Sequence, residues 1–282
     1  MPLGMSTGRW IRRSSLLGLA AVVCALAASG CAAPATNPAF GVSVPEARAE
    51  LRERQEHKVH LERPVIVLAG YLDPGVGVAR TAAMLRKAVE PEDWVVEVPF
   101  FSVRTFDACR ARVITKVINR FGTDAAGNTA EVDVVGVSMG GIVARYAAAG
   151  EEPRLRIERL FTVSSPHRGA IAAEILQPDS RAMDMRPGSK LLRDLDGAFT
   201  PDAYEIVSYV RLGDGVVGET AARGPDERLW WVPNRPFSLS HLAAPYDPRI
   251  IADIVRRLAG EEPWTCEPCT PLPCECVPED PT

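Results

Sequence analysis

Gly136-Val137-Ser138-Met139-Gly140 sets a serine between two glycines, at the junction of two differently patterned stretches. Before it, Val132, Val134, Val135 and Val137 are β-branched residues suited to a buried strand. After it, residues 141–149 place Ile142, Val143, Tyr146 and Ala147 at helical spacing among good helix formers. A G-x-S-x-G pattern between strand and helix holds a hydroxyl out from a turn too tight for side chains at its glycines. The chemistry such a serine serves is nucleophilic. The same turn aims the Met139 amide and the following helix start at developing negative charge. So short a pattern also arises by chance on loops, and the flanking strand and helix select the nucleophile.

Strand and helix patterns alternate on both sides of this serine. Residues 64–70, 94–98, 155–163, 204–212 and 229–232 read as further strands, and 79–89, 104–121 and 249–258 as helices. The alternation predicts an α/β fold, a doubly wound and mostly parallel sheet with its site beyond the strands' C-terminal ends. Cys109, inside the helix at 104–121, reads as a small buried hydrophobe. The 282 residues suffice for one sizeable domain plus appendages, or for two small domains, and the 46% hydrophobic content indicates a proper core. A net charge of −4 gives no electrostatic footprint for nucleic acid.

The stretch around Ser138 resembles the nucleophile elbow of α/β-hydrolases, and Val137-Ser138-Met139-Gly140-Gly141 looks most like the lipase and esterase branch. That resemblance implies the α/β-hydrolase fold and a triad in the chain order serine, acid, histidine. Asp214 follows the strand at 204–212 in Gly213-Asp214-Gly215-Val216, similar to the Asp-Gly-x-Val of lipase relatives at the triad acid. Read alone, the same turn is also that of a solvated aspartate. His241 is the one histidine after Asp214; the three residues are spaced 76 and 27 positions apart, room for the intervening elements. In such hydrolases the amide after the first long strand's terminal glycine supplies half of the oxyanion hole. Tyr71 after Gly70 fits by position, with Met139 as the other donor, although Ala69 stands where the family usually has histidine.

Ser164-Ser165-Pro166-His167-Arg168-Gly169 resembles a Ser/Thr-Pro-His-x-Gly segment of bacterial lipases, which implies a loop-shaping role for His167, not that of general base. Pro187-Gly188-Ser189 with Leu192 resembles a lipase cap, and Ile175, Leu176, Met183 and Met185 are its candidates for lining an acyl pocket. The implied activity is hydrolysis of carboxylic esters, lipid or acyl esters above all, through an acyl-enzyme and without a cofactor. An acyltransferase, or an inactive envelope-binding lipoprotein on the same fold, is the alternative. Some lipase relatives bind calcium near the histidine loop; Asp247 stands there without a readable ligand set, and no metal is expected.

The ends are read differently. Arg9, Arg12 and Arg13 precede an apolar run at 14–28 of secretory length, so residues 1–30 read as an export signal. Ala28-Ser29-Gly30-Cys31 resembles a bacterial lipobox, which implies diacylation of Cys31 and anchoring to a membrane surface of the cell envelope. Ala28 stands where lipoproteins more often carry leucine, and plain secretion remains the alternative. Signal removal takes the net charge from −4 to −7. Residues 31–63 then form a polar tether with solvated His57 and His60, 64–260 the catalytic domain with a cap at about 170–200, and 261–282 a Pro- and Cys-rich tail. Cys266, Cys269, Cys274 and Cys276 have zinc-like spacing, but export and the crowding prolines favour two disulfides whose pairing the sequence leaves open.

Overall fold

The computed structural model describes residues 35–175, 179–234 and 238–276. The chain divides into two units, Met1–Ala35 and Thr36–Thr282, and the second holds the sheet and its helices. The expected export signal and Cys31 lie outside the described residues, as does Leu176.

Six strands form one sheet: β1 (Val65–Leu68), β2 (Val95–Val98), β3 (Val132–Val137), β4 (Ile157–Val163), β5 (Glu205–Arg211) and β6 (Trp230–Val232). Their order is β2-β1-β3-β4-β5-β6 and every neighbouring pair is parallel. All of β1 is buried, as its continuous Val/Ile/Leu run dictates for a strand covered on both faces, and β3 is buried up to Val137, its Asp133 paired with Arg159 at 2.6 Å. The covers are α1 (Val44–Glu56), α2 (Val76–Arg86), α3 (Phe106–Phe121), α4 (Met139–Ala149), three short helices α5 (Ile171–Ile175), α6 (Ser180–Asp184) and α7 (Lys190–Ala198), then α8 (Ser240–Ala243) and α9 (Pro248–Leu258). In α3 the buried residues Phe106, Cys109, Val113 and Val117 recur every three or four positions, one face of a helix. Register aligns Leu68 with Gly136 and Val137 with Val163, so the C-terminal ends of β1, β3 and β4 reach the same edge. Strand order reverses at the β1–β3 pair, where doubly wound sheets open a crevice.

The helix expected at 79–89 starts earlier, at Val76. The cause is Asp73, whose carboxylate accepts the amides of Gly75, Gly77 and Val78 at 2.9, 3.0 and 2.7 Å. It also stops earlier, because Val89 pairs with Val59 in a short parallel bridge.

Residues 36–63, expected as a tether, are packed onto the domain. Phe40 is buried against Tyr209 with ring centroids 6.1 Å apart, and bridges to Thr265 in antiparallel pairing. Asn37 donates to the Trp231 carbonyl at 2.6 Å. Ser43 and Glu46 cap α1 reciprocally, and Glu50 takes Arg256 and the Trp264 indole at 3.2 and 2.6 Å. Val42, Val59 and Leu61 supply buried anchors that the polar composition hides. The tail is also folded as far as it is described: Leu272 is buried, and the Trp231 indole donates to Thr270 and Pro271 carbonyls at 2.9 and 3.1 Å. Cys266, Cys269, Cys274 and Cys276 carry free thiols, so the two expected disulfides are not formed here.

Candidate active site

At the end of β3 the chain turns so sharply that Ser138 takes φ 52° and ψ −120°, a conformation a non-glycine residue holds only when its surroundings impose it. The imposition is steric. A Cβ on Gly136 would lie 2.5 Å from the Gly141 backbone, and one on Gly140 2.5 Å from the Leu68 carbonyl oxygen. Both obstacles are backbone that cannot rotate away. Gly140→Ala is therefore expected to destabilise the fold by about 3 kcal/mol or more, read as a lowered midpoint in urea unfolding.

The turn delivers the hydroxyl to a histidine. Ser138 Oγ lies 3.1 Å from His241 Nε2, and His241 Nδ1 lies 2.9 and 3.1 Å from the two carboxylate oxygens of Asp214. His241 sits in α8, whose first residue, Ser240, donates its hydroxyl to the Leu212 carbonyl at 2.6 Å and so ties the histidine segment to the acid's loop. Asp214 Oδ1 accepts the amides of Val216 and Val217 at 3.1 and 3.0 Å. Burial pushes the Asp214 carboxyl up, but the His241 N–H and the Val217 amide outweigh it and hold it below the usual aspartate value. Asp214 is thus an ionised, immobile acceptor behind the ring. Three residues remote in sequence form one hydrogen-bonded chain.

Beside that chain is a cleft of about 360 Å³, with Gly70, Tyr71, Leu72, Ser138, His241 and Tyr246 among its lining residues. A Cβ on Gly70 would stand 3.3 Å from Ser138 Cβ, so the chain entering Tyr71 passes directly alongside the serine. Among the described residues the Tyr71 and Met139 amides have no protein acceptor. The Tyr71 ring is held from behind by Arg181, whose guanidinium lies 4.9 Å from the ring centroid. Arg181 is fully buried, bonded to Asp179 at 2.6 Å and to the Phe100 carbonyl at 3.1 Å. Sequence reasoning missed Arg181: an arginine in a mixed cap segment gives no local sign of a partner more than a hundred residues away. Of the expected acyl-pocket residues, Met183 is exposed and Met185 buried, and neither lines the cleft; Leu72, Pro74, Leu242 and Pro245 provide its apolar surface.

His167 is apart from this chain. Its Nδ1 faces Arg145 at 3.3 Å and its Nε2 faces Thr162 Oγ1 at 3.1 Å, in a pocket that leaves it 1% exposed. Burial above all, with Arg145 and Arg168 adding to it, holds His167 well below the ordinary histidine value, so it is neutral in the folded protein. The unfolded chain therefore binds a proton there that the folded chain refuses. Stability is full above about pH 6.5 and falls as pH drops below it, by up to about 1.4 kcal/mol per unit from this residue. His167→Gln is expected to flatten that dependence in urea titrations run from neutral to mildly acidic pH. Cys109 is buried in α3, and burial pushes its thiol up to about 11, as suits a packing residue and not a nucleophile. Asp247 is occupied with Arg249, at 2.9 and 2.7 Å, and no cluster of three or more metal-ligating side chains occurs among the described residues.

Residues 93–178 match the family model described as a PGAP1-like alpha/beta domain, a span that includes Ser138 and His167 but neither Asp214 nor His241. No curated protein sequence matches the chain. Among solved structures, the mature form of Bacillus licheniformis lipase BlEst2 superposes with a TM-score of 0.50 at 15% identity, over 70% of this chain and 91% of that one. A Listeria innocua gene product gives 0.50 at 12% identity, over 71% and 95%. Phospholipase PlaB from Legionella pneumophila gives 0.48 at 12% identity over 71% of this chain; the chain spans 60% of PlaB's length, or 44% of it in PlaB's complex with thio-NAD.

Proposed function

We propose that this chain, whose doubly wound parallel sheet has the α/β-hydrolase fold, hydrolyses carboxylic esters, with lipids or other acyl esters as the substrate class. The observation that carries this reading is the Ser138–His241–Asp214 hydrogen-bonded chain at 3.1 and 2.9 Å, opening on a cleft with apolar walls.

With Nδ1–H donated to Asp214, His241 Nε2 is free to accept the Ser138 proton as Oγ attacks the ester carbonyl. The carbonyl oxygen, now negative, is received by the amides of Tyr71 and Met139, which have no protein acceptor among the described residues. Collapse breaks the C–O bond, and the His241 proton goes to the leaving alcohol. Water then enters, gives a proton to His241 and attacks the acyl-Ser138 carbon; the acid departs as Oγ recovers that proton. Atoms balance as ester plus water giving acid plus alcohol. Asp214 stays ionised throughout and offsets the charge on the imidazolium.

Leu72 and Leu242, which line the cleft, are 49% and 63% exposed. Such a rim suits substrates presented at a lipid surface. The lipobox-like Cys31 supports a location in the bacterial envelope, held by lipid, with plain secretion as the alternative. Hydrolysis of nitrophenyl esters of increasing chain length tests the activity. A cleft of about 360 Å³ favours butyrate to octanoate over palmitate. No rate above background on any ester would overturn ester hydrolysis, and transfer of the acyl group to an alcohol would then be measured.

A further inference from the structure

Beside the cleft, and sharing Leu242 and Tyr246 with it, lies a second cavity of about 510 Å³. Both residues line both spaces, so the two adjoin along that edge. The second cavity takes Arg48 from α1, Arg80 from α2 and Arg211 from the end of β5. The carboxylate on its wall, Asp247, is already committed: Arg249 grips it at 2.9 and 2.7 Å, and Arg211 Nε stands 4.0 Å away. Arg48 and Arg80 form no ion pair among the described residues, unlike nearby Arg54 and Arg256, which share Glu50. Arg80 is fixed all the same, its guanidinium 4.2 Å from the centroid of the Tyr246 ring.

Arg48 and Arg80 place two exposed guanidinium groups at one concave surface with no acid paired to either, a local excess of positive charge that attracts an anion. Guanidinium forks match the oxygens of a phosphate group. We propose that this cavity binds a phosphate-type anion, carried on a substrate whose acyl ester lies at Ser138. The inference rests on the ester-hydrolase reading for the ester end only; the anion end stands on Arg48, Arg80 and the shared wall. Tyr246 couples the two, since its ring supports Arg80 on one side and borders the catalytic cleft on the other.

Calorimetric titration of the full-length Ser138→Ala protein separates binding from turnover. The probes are dihexanoyl phosphatidic acid below its micellar concentration, dihexanoylglycerol, and inorganic phosphate. Phosphatidic acid is expected to bind roughly tenfold or more tightly than the neutral diacylglycerol, and Arg48→Gln with Arg80→Gln to abolish that preference. Both arginines are exposed, so the double variant is expected to fold, which circular dichroism checks. Inorganic phosphate competing with the lipid in the parent, but not in the double variant, supports the same site. Inorganic phosphate binding without any preference for the phosphate-bearing lipid would assign the cavity to free phosphate and overturn the substrate role. Equal affinity for both lipids, unchanged in the double variant, would overturn the anion site altogether. Neither result bears on nitrophenyl ester hydrolysis by the unaltered protein, so the two readings fail separately.

Discussion

Ser138→Ala is expected to lower the rate of nitrophenyl butyrate hydrolysis by roughly 10⁵- to 10⁶-fold, to the residual level that binding and oxyanion donors sustain alone. The size of the loss follows from how little else is placed to substitute. The Ser138 hydroxyl is the group 3.1 Å from His241 Nε2, and the buried Cys109 thiol, pushed up to about 11, supplies no thiolate near neutrality. The change is also mild for the fold. Alanine keeps the Ser138 amide bond to the Val163 carbonyl, at 2.9 Å, and leaves the glycine contacts of the elbow untouched. An unfolding midpoint close to the parent's, beside a collapsed rate, is the expected pair of results. A rate within tenfold of the parent would remove Ser138 from the chemistry.

Asp214→Asn is expected to cost about 10³- to 10⁴-fold in kcat with little change in structure, as for buried triad acids generally. The local bonding specifies why. Oδ1 of Asp214 receives two backbone N–H groups, from Val216 and Val217, at 3.1 and 3.0 Å. An asparagine at this position keeps its carbonyl oxygen where those amides point, which turns its NH₂ toward His241 Nδ1. Two donors cannot face each other, so the imidazole must carry its proton on Nε2. That is the nitrogen required to accept the serine proton. A kcat loss of this order with KM nearly constant distinguishes the tautomer effect from damage to the substrate cleft.

What the sequence revealed follows the range of the interactions involved. The elbow is legible because its demands are local: a side chain at Gly136 or Gly140 would meet backbone a few residues away or on the adjacent strand, and Val132, Val134, Val135 and Val137 mark β3 beside them. Ser138, Asp214 and His241 were nameable through chain order, and the fold carries each to the same strand edge. Asp73 was visible as a loop residue, but not as the acceptor that starts α2 early. Arg181 behind Tyr71, and Phe40 against Tyr209, depend on partners far along the chain, for which local composition holds no signal. The same is true of the segments at 36–63 and 261–276, where scattered apolar anchors inside polar sequence decide packing. Bulk composition reads such stretches as linkers; single buried residues make them part of the domain.

Covalent labelling of the full-length protein by a fluorophosphonate ester, mapped by peptide mass spectrometry, asks whether Ser138 is the activated nucleophile. Fluoride leaves rapidly when an activated nucleophile, its proton taken by a neighbouring base, attacks phosphorus. One adduct is expected, on Ser138, formed far more slowly in the Asp214→Asn protein. A folded protein that stays unlabelled, or that carries its adduct on another residue, would contradict the Ser138–His241–Asp214 mechanism.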